Sequence, residues 1–355
     1  MLSKTLFLSS LVTLAASLTS WDDWSHGRVA LQDVSIHFRY AGSGPPLLLV
    51  HGNPQFSLTW QFIGPILAEN YTVIAADNRG AGDSSIPANG NYSAMASAED
   101  LKGVLDFLGV NETYVFSHDK GVGMAAALAI KYPGLVKMLG MSEYAFPGFG
   151  YEEAAMPAPF WDLYANPQLA FFQIPDFAEF LISGKEKQFL QWYFYHMSYS
   201  GPTSMSEDTV NRYTTSISKP GFLRAMTGPF SSAAVADDRS FFTGALSSPS
   251  NSSNAPLPMP VLALGGEAGF GIRAILQKGL GSFSTRSEID IVPKAGHWIA
   301  DENPVWVANR VGRWLATDTS PLANLDLSWL TDKVTLTVGY FGTLGNAALG
   351  GLNLG

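Results

Sequence analysis

Short apolar runs of strand length alternate with amphipathic helical stretches along most of this 355-residue chain. PLLLV at 46–50 and TVIAA at 72–76 are almost wholly apolar, as expected for strands buried on both faces. The other predicted strands lie at 29–41 (a hairpin or strand pair), 113–117, 136–142, 260–264 and 288–292. Such alternation is typical of a parallel sheet covered by helices. We therefore predict an α/β fold with an eight-stranded, mostly parallel sheet and helices on both faces.

The alternation stops between residues 147 and 255, where aromatic residues and helical patterns continue without a clear buried strand. We interpret this segment as a helical cap inserted after the sixth strand, with a return loop rich in Ser, Asn and Pro. The sheet-forming core is then assigned to 21–146 and 256–317. Helices are predicted at about 58–69, 94–109, 121–132, 271–280 and 304–316.

The two ends of the chain differ from the core. In residues 1–20, a lysine precedes a short apolar stretch and small residues follow it, which predicts a signal peptide and secretion. Sequons that permit N-glycosylation in an exported protein occur at Asn70, Asn91, Asn111 and Asn251. Residues 318–355 contain a strand-like run, KVTLTV, and have no assigned role; a flexible tail and a docked tail are both open.

Composition excludes several classes of protein. A hydrophobic content of 46% is too high for a disordered chain. The absence of cysteine excludes thiol catalysis and thiolate metal sites. A net charge of −9 without a basic stripe argues against nucleic acid and anionic membrane as partners. No second long apolar run follows the leader, so we predict no membrane span.

The segment FSHDKGVGM places Asp119 where a strand runs directly into a helix. Small residues stand two positions to either side of it, at Ser117 and Gly121, as a sharp nucleophile-bearing turn requires. An aspartate that only caps the helix is the alternative, and this segment alone leaves both interpretations open. If Asp119 is a nucleophile, the backbone N–H groups of Asn53, in the loop VHGNP, and of Lys120 are placed to form an oxyanion hole.

His297 follows the last predicted strand in KAGHWIADENP, where a general base can reach over to a nucleophile. Together these pieces resemble the epoxide hydrolase and dehalogenase branch of the α/β-hydrolases, over about residues 28–316. The matching motifs are HGNPQ at 51–55, DNRGAGDSS at 77–85, HDKG at 118–121 and GHWIADENP at 296–304. We interpret the motif DNRGAGDSS as a structural turn.

The resemblance implies a two-step hydrolysis without a metal or cofactor. Asp119 attacks a saturated carbon and forms an ester, and His297 then activates the water that hydrolyses the ester. A carboxylate must orient His297. Glu143, after the sixth strand, and Glu267, after the seventh, both remain candidates, and Glu143 matches the pattern of related dehalogenases better.

The leaving-group residues match the family only in part. Epoxide hydrolases of this branch use two cap tyrosines as proton donors; Tyr199 resembles one, and Gln168 stands where the other is expected. Side chains that can substitute or line an apolar substrate pocket are Trp161, Tyr164, Tyr193 and Tyr195. For a dehalogenase, Asn53 resembles a halide-stabilising residue, and Lys120 resembles the arginine that holds a substrate carboxylate in fluoroacetate dehalogenases.

Four activities therefore stay open, in a fixed order of preference. Epoxide hydrolysis of an apolar small molecule stands first, dehalogenation second, and ester or lactone hydrolysis third. The fourth is a different class, a ligand-binding or biosynthetic member of the fold. The oligomeric state cannot be derived from the sequence.

Overall fold

The computed structural model describes residues 19–155, 167–247, 256–269, 280, 284–330 and 337–339. Its strands are β1 Ser25–Ala30, β2 Ser35–Ala41, β3 Pro46–Val50, β4 Thr72–Ala76, β5 Thr113–His118, β6 Val136–Ser142, β7 Val261–Gly266, β8 Ser287–Val292 and β9 Thr337–Gly339. They form one sheet in the order β8-β7-β6-β5-β3-β4-β2-β1-β9.

Strands β3 to β8 run parallel to one another, and β2 lies antiparallel to both β1 and β4. The predicted eight-stranded, mostly parallel sheet is therefore confirmed. The short ninth strand comes from the C-terminal segment and pairs in parallel with β1 at the sheet edge. All residues of β3, β4 and β5 are buried, because both faces of the central sheet are covered.

Two groups of helices belong to the sheet-forming core. In the first, α2 (Ala94–Phe107) packs against α3 (Lys120–Lys131), and in the second, α1 (Ile63–Leu67) packs against α12 (Pro304–Leu315). Helix α2 begins where the Ser93 hydroxyl accepts a hydrogen bond from the N–H of Ala96, a side-chain cap for the first turn. The helix predicted at 271–280 lies outside the described residues, apart from Leu280.

Between β6 and β7 the described residues form only helices. They are α4 Tyr151–Ala155, α5 Pro167–Phe172, α6 Pro175–Ile182, α7 Glu186–His196, α8 Glu207–Ile217, α9 Phe222–Thr227 and α10 Ser232–Leu246, and the short α11 Ile299–Glu302 follows β8. Rings of α7 pack on the loop after β8, where Tyr193 meets Trp298 edge-on at 5.5 Å, and Phe172 of α5 packs edge-on against Tyr193. The inserted helices therefore lie over the ends of β6 and β8.

The turn after β4 carries the motif DNRGAGDSS. Asp77 accepts hydrogen bonds from the backbone N–H groups of Ser57 and Asp83, and it also contacts a ring nitrogen of His37 at 2.7 Å. Arg79 makes two hydrogen bonds to the carboxylate of Asp100 on α2. These contacts hold the β4 turn against two neighbouring elements, which agrees with a structural role for the motif.

Part of the C-terminal segment docks on the core. The hydroxyl of Tyr114 donates to Asp318 at 2.7 Å, and the N–H of Leu325 donates to the carbonyl of Gly44. The ring of Trp329 packs edge-on against Phe107. Residues 318–330 are therefore bound to the core rather than forming a flexible tail.

No helix among the described residues is long and apolar enough to cross a bilayer. The predicted leader falls outside the described residues except for its last two positions. Of the four sequon asparagines, Asn70, Asn91 and Asn111 are exposed, and Asn251 lies outside the described residues.

Candidate active site

Asp119 stands at the junction of β5 and α3 with a positive φ of 49°. Few residues other than glycine adopt this conformation, and at functional sites it is held by the surroundings. A Cβ at Gly121 would overlap with the carbonyl oxygens of Val50 and His51, so only glycine allows the helix to approach β3 this closely. The local sequence therefore produces the sharp turn that lifts the Asp119 carboxylate above the sheet.

Two backbone N–H groups point at this carboxylate. The N–H of Asn53 donates to Asp119 Oδ1 at 2.8 Å, and the N–H of Lys120 hydrogen-bonds the same side chain. A Cβ at Gly52 would overlap with the Asp119 side chain, which explains the glycine there. Donors in this position can stabilise negative charge that develops when the carboxyl carbon is attacked. The structure thus brings together the two donors predicted from sequence.

The side chain of Asn53 makes a contact within the protein. Its amide nitrogen donates to the carbonyl of Met226 on α9 at 2.8 Å and thereby ties the loop to the inserted helices. One of the two N–H donors of this amide is thus used within the protein, and the substrate contact of Asn53 stays a prediction. His51 fixes the other end of the loop, because its ring contacts the carbonyl of Gly52 and accepts the N–H of Asn78.

His297 lies between two carboxylates. Its Nδ1 is 3.0 Å from Glu143 Oε2, and its Nε2 is 3.6 Å from Asp119 Oδ2. The backbone N–H of His297 donates to the carbonyl of Met197, which holds the loop against the end of α7. The imidazole is therefore placed between an orienting carboxylate and the candidate nucleophile.

Glu143, and not Glu267, is the carboxylate at His297. Glu143 directly follows β6 with a φ of 54°, is 1% exposed, and accepts the N–H of Gly266 at 2.7 Å. Glu267 is exposed, and its carboxylate accepts the N–H of Lys294 in the turn after β8. The alternative acid is thus excluded by position, because its carboxylate caps a surface turn.

The ionisable groups of the site shift one another's pKa values. Burial alone would lower the pKa of His297, but hydrogen bonds and charges from Asp119 and Glu143 outweigh it and raise the pKa to about 9. Burial would raise the pKa of Asp119, yet His297 and the N–H of Lys120 hold it below its usual value. At pH 7 the resting site therefore holds an imidazolium between two carboxylates.

The sequence prediction gave no role to His118, whose ring packs against that of His297. The two rings lie 4.8 Å apart, and the Nδ1 of His118 contacts the hydroxyl of Ser142. Burial and the charge of His297 lower the pKa of His118 to about 3, so this ring stays neutral. Its position directly before the nucleophile was the only available sequence signal.

The structure places Tyr199, the predicted proton donor, at the surface, and its role stays a prediction. Its side chain is 48% exposed, and its backbone N–H donates to Glu302. The physical reason is that α7 ends at His196, so the chain has already turned outward where Tyr199 occurs. Tyr195, on α7, is only partly buried at the edge of the core.

Tyr193 and Gln168 are predicted cap residues that the structure buries. The amide of Gln168 hydrogen-bonds the hydroxyl of Tyr193, and burial together with the charge of Asp119 raises the pKa of that tyrosine. Gln168 is 0% exposed and also contacts the sulfur of Met197. Trp161 and Tyr164 lie outside the described residues.

Comparison with known proteins agrees with this geometry. The model of the alpha/beta hydrolase fold family matches residues 45–304. The soluble epoxide hydrolase of Corynebacterium sp. (strain C12) is 29% identical over 296 residues, covering 82% of this chain and 97% of that protein. The fluoroacetate dehalogenase of Burkholderia sp. is 38% identical over 117 residues, covering 32% of this chain and 38% of that protein.

A solved structure described as epoxide hydrolase CorEH without ligand superposes with a TM-score of 0.71 and 28% identity, covering 82% of this chain and 98% of that chain. The family match spans more than half of the sequence and includes strands β3 to β8, the elbow and the loop that carries His297. The chain belongs to the α/β-hydrolase fold family, in its epoxide hydrolase-like branch, and is a hydrolase.

Proposed function

We propose that this hydrolase opens an epoxide to a diol through an ester on Asp119. The observation that carries the proposal is the position of the Asp119 carboxylate, which lies at the elbow between two N–H donors and 3.6 Å from His297. Asp119 attacks a ring carbon and forms the ester. The N–H groups of Asn53 and Lys120 then stabilise the oxyanion when water attacks the ester carbonyl.

The raised pKa of His297 fits its use as a base in the second step only. While Asp119 is ionised, His297 is protonated and pairs with it. Forming the ester removes the charge of Asp119, which is one of the two influences that raise the pKa of His297. The imidazole can then lose its proton and accept one from water, with Glu143 holding its orientation.

The epoxide is preferred because the relatives that match over 82% of this chain, and over nearly all of their own length, carry that name. The resemblance to a fluoroacetate dehalogenase covers about a third of this chain and favours a halogenated substrate as the second candidate. Both reactions begin with the same attack by Asp119, so trapping the ester distinguishes them.

The test is to replace His297 by alanine and follow intact mass during incubation with styrene oxide, other epoxides, haloacids, haloalkanes and esters. Without the base, the ester on Asp119 should accumulate to about one adduct per chain. An adduct with the whole mass of the epoxide supports the proposal, and Asp119→Ala in the same background should remove it. An adduct that lacks the halogen assigns a dehalogenase instead, and no adduct with any compound contradicts the covalent mechanism.

The charge coupling predicts a change in the titration of His297. In Asp119→Ala the pKa of His297 should fall below the value of about 9 expected for the wild type, because one of its two carboxylate partners is gone. The pKa is measured by NMR titration of the imidazole signals, with His118 as a ring that stays neutral in both proteins. An unchanged pKa would contradict release of the base by ester formation.

A further inference from the structure

The side chain of Lys120 ends in an aromatic enclosure next to the nucleophile. Its Nζ donates to the hydroxyl of Tyr151 at 3.3 Å. The same atom lies 4.3 Å from the ring centroid of Tyr151, 4.7 Å from that of Phe230 and 5.7 Å from that of Tyr144. Lys120 is 3% exposed, so this ammonium group is removed from bulk water. Buried lysines in proteins are normally paired with a carboxylate.

Lys120 has no such partner in contact within the part of the chain that the structure describes. The charges of Asp238, on α10, and Asp119 act on it only through space. Asp238 instead accepts the N–H of Ala94 at the start of α2. An ammonium group has three donors, and one is used by Tyr151, so hydrogen-bond donors remain for an oxygen atom of a bound molecule.

The first chemical step of the proposed function needs a proton donor. Breaking the C–O bond of an epoxide leaves an alkoxide, which is a poor leaving group unless it is protonated. Tyr199 is exposed, and the amide of Gln168 is not an acid. Tyr193 keeps its O–H as a donor, but burial and the charge of Asp119 raise its pKa, so it is a weak acid. The protonated His297 is already paired with two carboxylates. Lys120, the residue after the proposed nucleophile, has unused N–H donors and a pKa that burial lowers.

We propose that the ammonium group of Lys120 protonates the oxygen that leaves when Asp119 opens the ring, a role that rests on the proposed function. Asp119 forms a bond to one ring carbon, the bond from that carbon to the ring oxygen breaks, and its electron pair stays on the oxygen. A proton then moves from Nζ to that oxygen. When water hydrolyses the ester, the proton that it releases passes through His297 and solvent back to the neutral amine. The sum is one epoxide and one water to one diol.

The electrostatics of the enclosure support this role. Burial lowers the pKa of Lys120 to about 8, against the opposing influence of Asp238 and Asp119. An acid with a pKa near the working pH is still protonated at pH 7 and gives up its proton readily. The groups that face it are Asp119, Asp238, Tyr144 and Tyr151. Since burial raises the pKa of both tyrosines, they remain neutral over this range.

The test measures ring opening alone, as the rate of ester formation by intact mass in the His297→Ala protein. Styrene oxide, or the panel epoxide that reacts fastest, is compared with phenethyl iodide, whose leaving iodide needs no proton. Lys120→Met should slow reaction with the epoxide by about 10²- to 10³-fold and change reaction with the iodide by less than about threefold. Lys120→Arg should also slow the epoxide, because a guanidinium keeps the charge but is a far weaker acid. Lys131→Met, at the far end of α3, is the matched control.

If Lys120→Met does not fold, the proposal can still be tested by a measurement that leaves Lys120 unchanged. In the His297→Ala protein, epoxide opening should decline as pH rises through about 8, while reaction with the iodide should not. Equal slowing of both compounds by Lys120→Met would overturn the proposal and indicate a structural role. Slowing only with phenylglycidate, which carries a carboxylate, would show that Lys120 binds substrate charge instead. No adduct in the His297→Ala protein itself would reject the proposed function and this role together.

Discussion

Replacing Asp119 by alanine is expected to reduce turnover by about 10⁴-fold or more, because in the proposed mechanism the covalent bond to substrate forms on this carboxylate. The measurement is kcat/KM on the best substrate of the panel, at pH 7, alongside thermal unfolding. The loss should lie in kcat, since substrate contacts with the cap helices remain.

Asp301→Asn is the matched control for that substitution. Asp301 is a partly buried aspartate near the cap, where it accepts a hydrogen bond from Gln55. Burial raises its pKa to about 8, so the carboxyl is already mostly neutral at pH 7 and an amide of the same size replaces it closely. Its kcat should stay within about twofold of the wild type, as expected for a substitution away from the reaction. Full activity in Asp119→Ala would reject the ester mechanism.

Much of the core was predictable because its signals are local in sequence. Apolar runs such as PLLLV become the central strands since burial on both faces requires an unbroken apolar sequence. The small residues around Asp119 predict the elbow because a Cβ at Gly121 would meet the carbonyl oxygens of β3. In both cases the physical constraint acts within a few residues and leaves a readable pattern.

The cap side of the site was less predictable because it depends on contacts between distant segments. Tyr199 resembles a proton donor by motif, yet it lies after the end of α7 and is exposed, while Tyr193, within α7, is buried and senses the charge of Asp119. The enclosure of Lys120 combines rings from the loop after β6, from α4 and from the residues before α10. No window of sequence contains all three, so only the folded chain brings them together.

The choice between Glu143 and Glu267 also could not be made from the sequence. Each glutamate follows a parallel strand, so strand order alone places both near the carboxyl edge of the sheet. The difference lies in the backbone, since Glu143 adopts a positive φ that directs its side chain toward His297 and the N–H of Gly266. Sequence alone did not reveal this conformation.

Glu143→Gln is expected to lower kcat by about 10³- to 10⁴-fold. This is similar to the loss when an amide replaces the carboxylate that orients a histidine base in other hydrolases. The glutamine oxygen would keep the N–H of Gly266, and its NH₂ group would then face Nδ1 of His297. That arrangement favours the tautomer with the proton on Nε2, which cannot accept a proton from water. Ester formation should survive while hydrolysis fails, so intact mass should show labelled enzyme accumulating during turnover.

Glu267→Gln is the matched control, because it is the same substitution at the neighbouring strand end. Its amide oxygen can still accept the N–H of Lys294 in an exposed turn, so kcat should remain within about twofold. Comparing the two variants distinguishes the loss of the carboxylate that orients His297 from a general effect of lost negative charge. Labelled enzyme in Glu267→Gln but not in Glu143→Gln would contradict the assignment and return the acid to the seventh strand. Labelled enzyme in Glu143→Gln alone would mean that His297 needs a hydrogen-bond acceptor at Nδ1 to activate water.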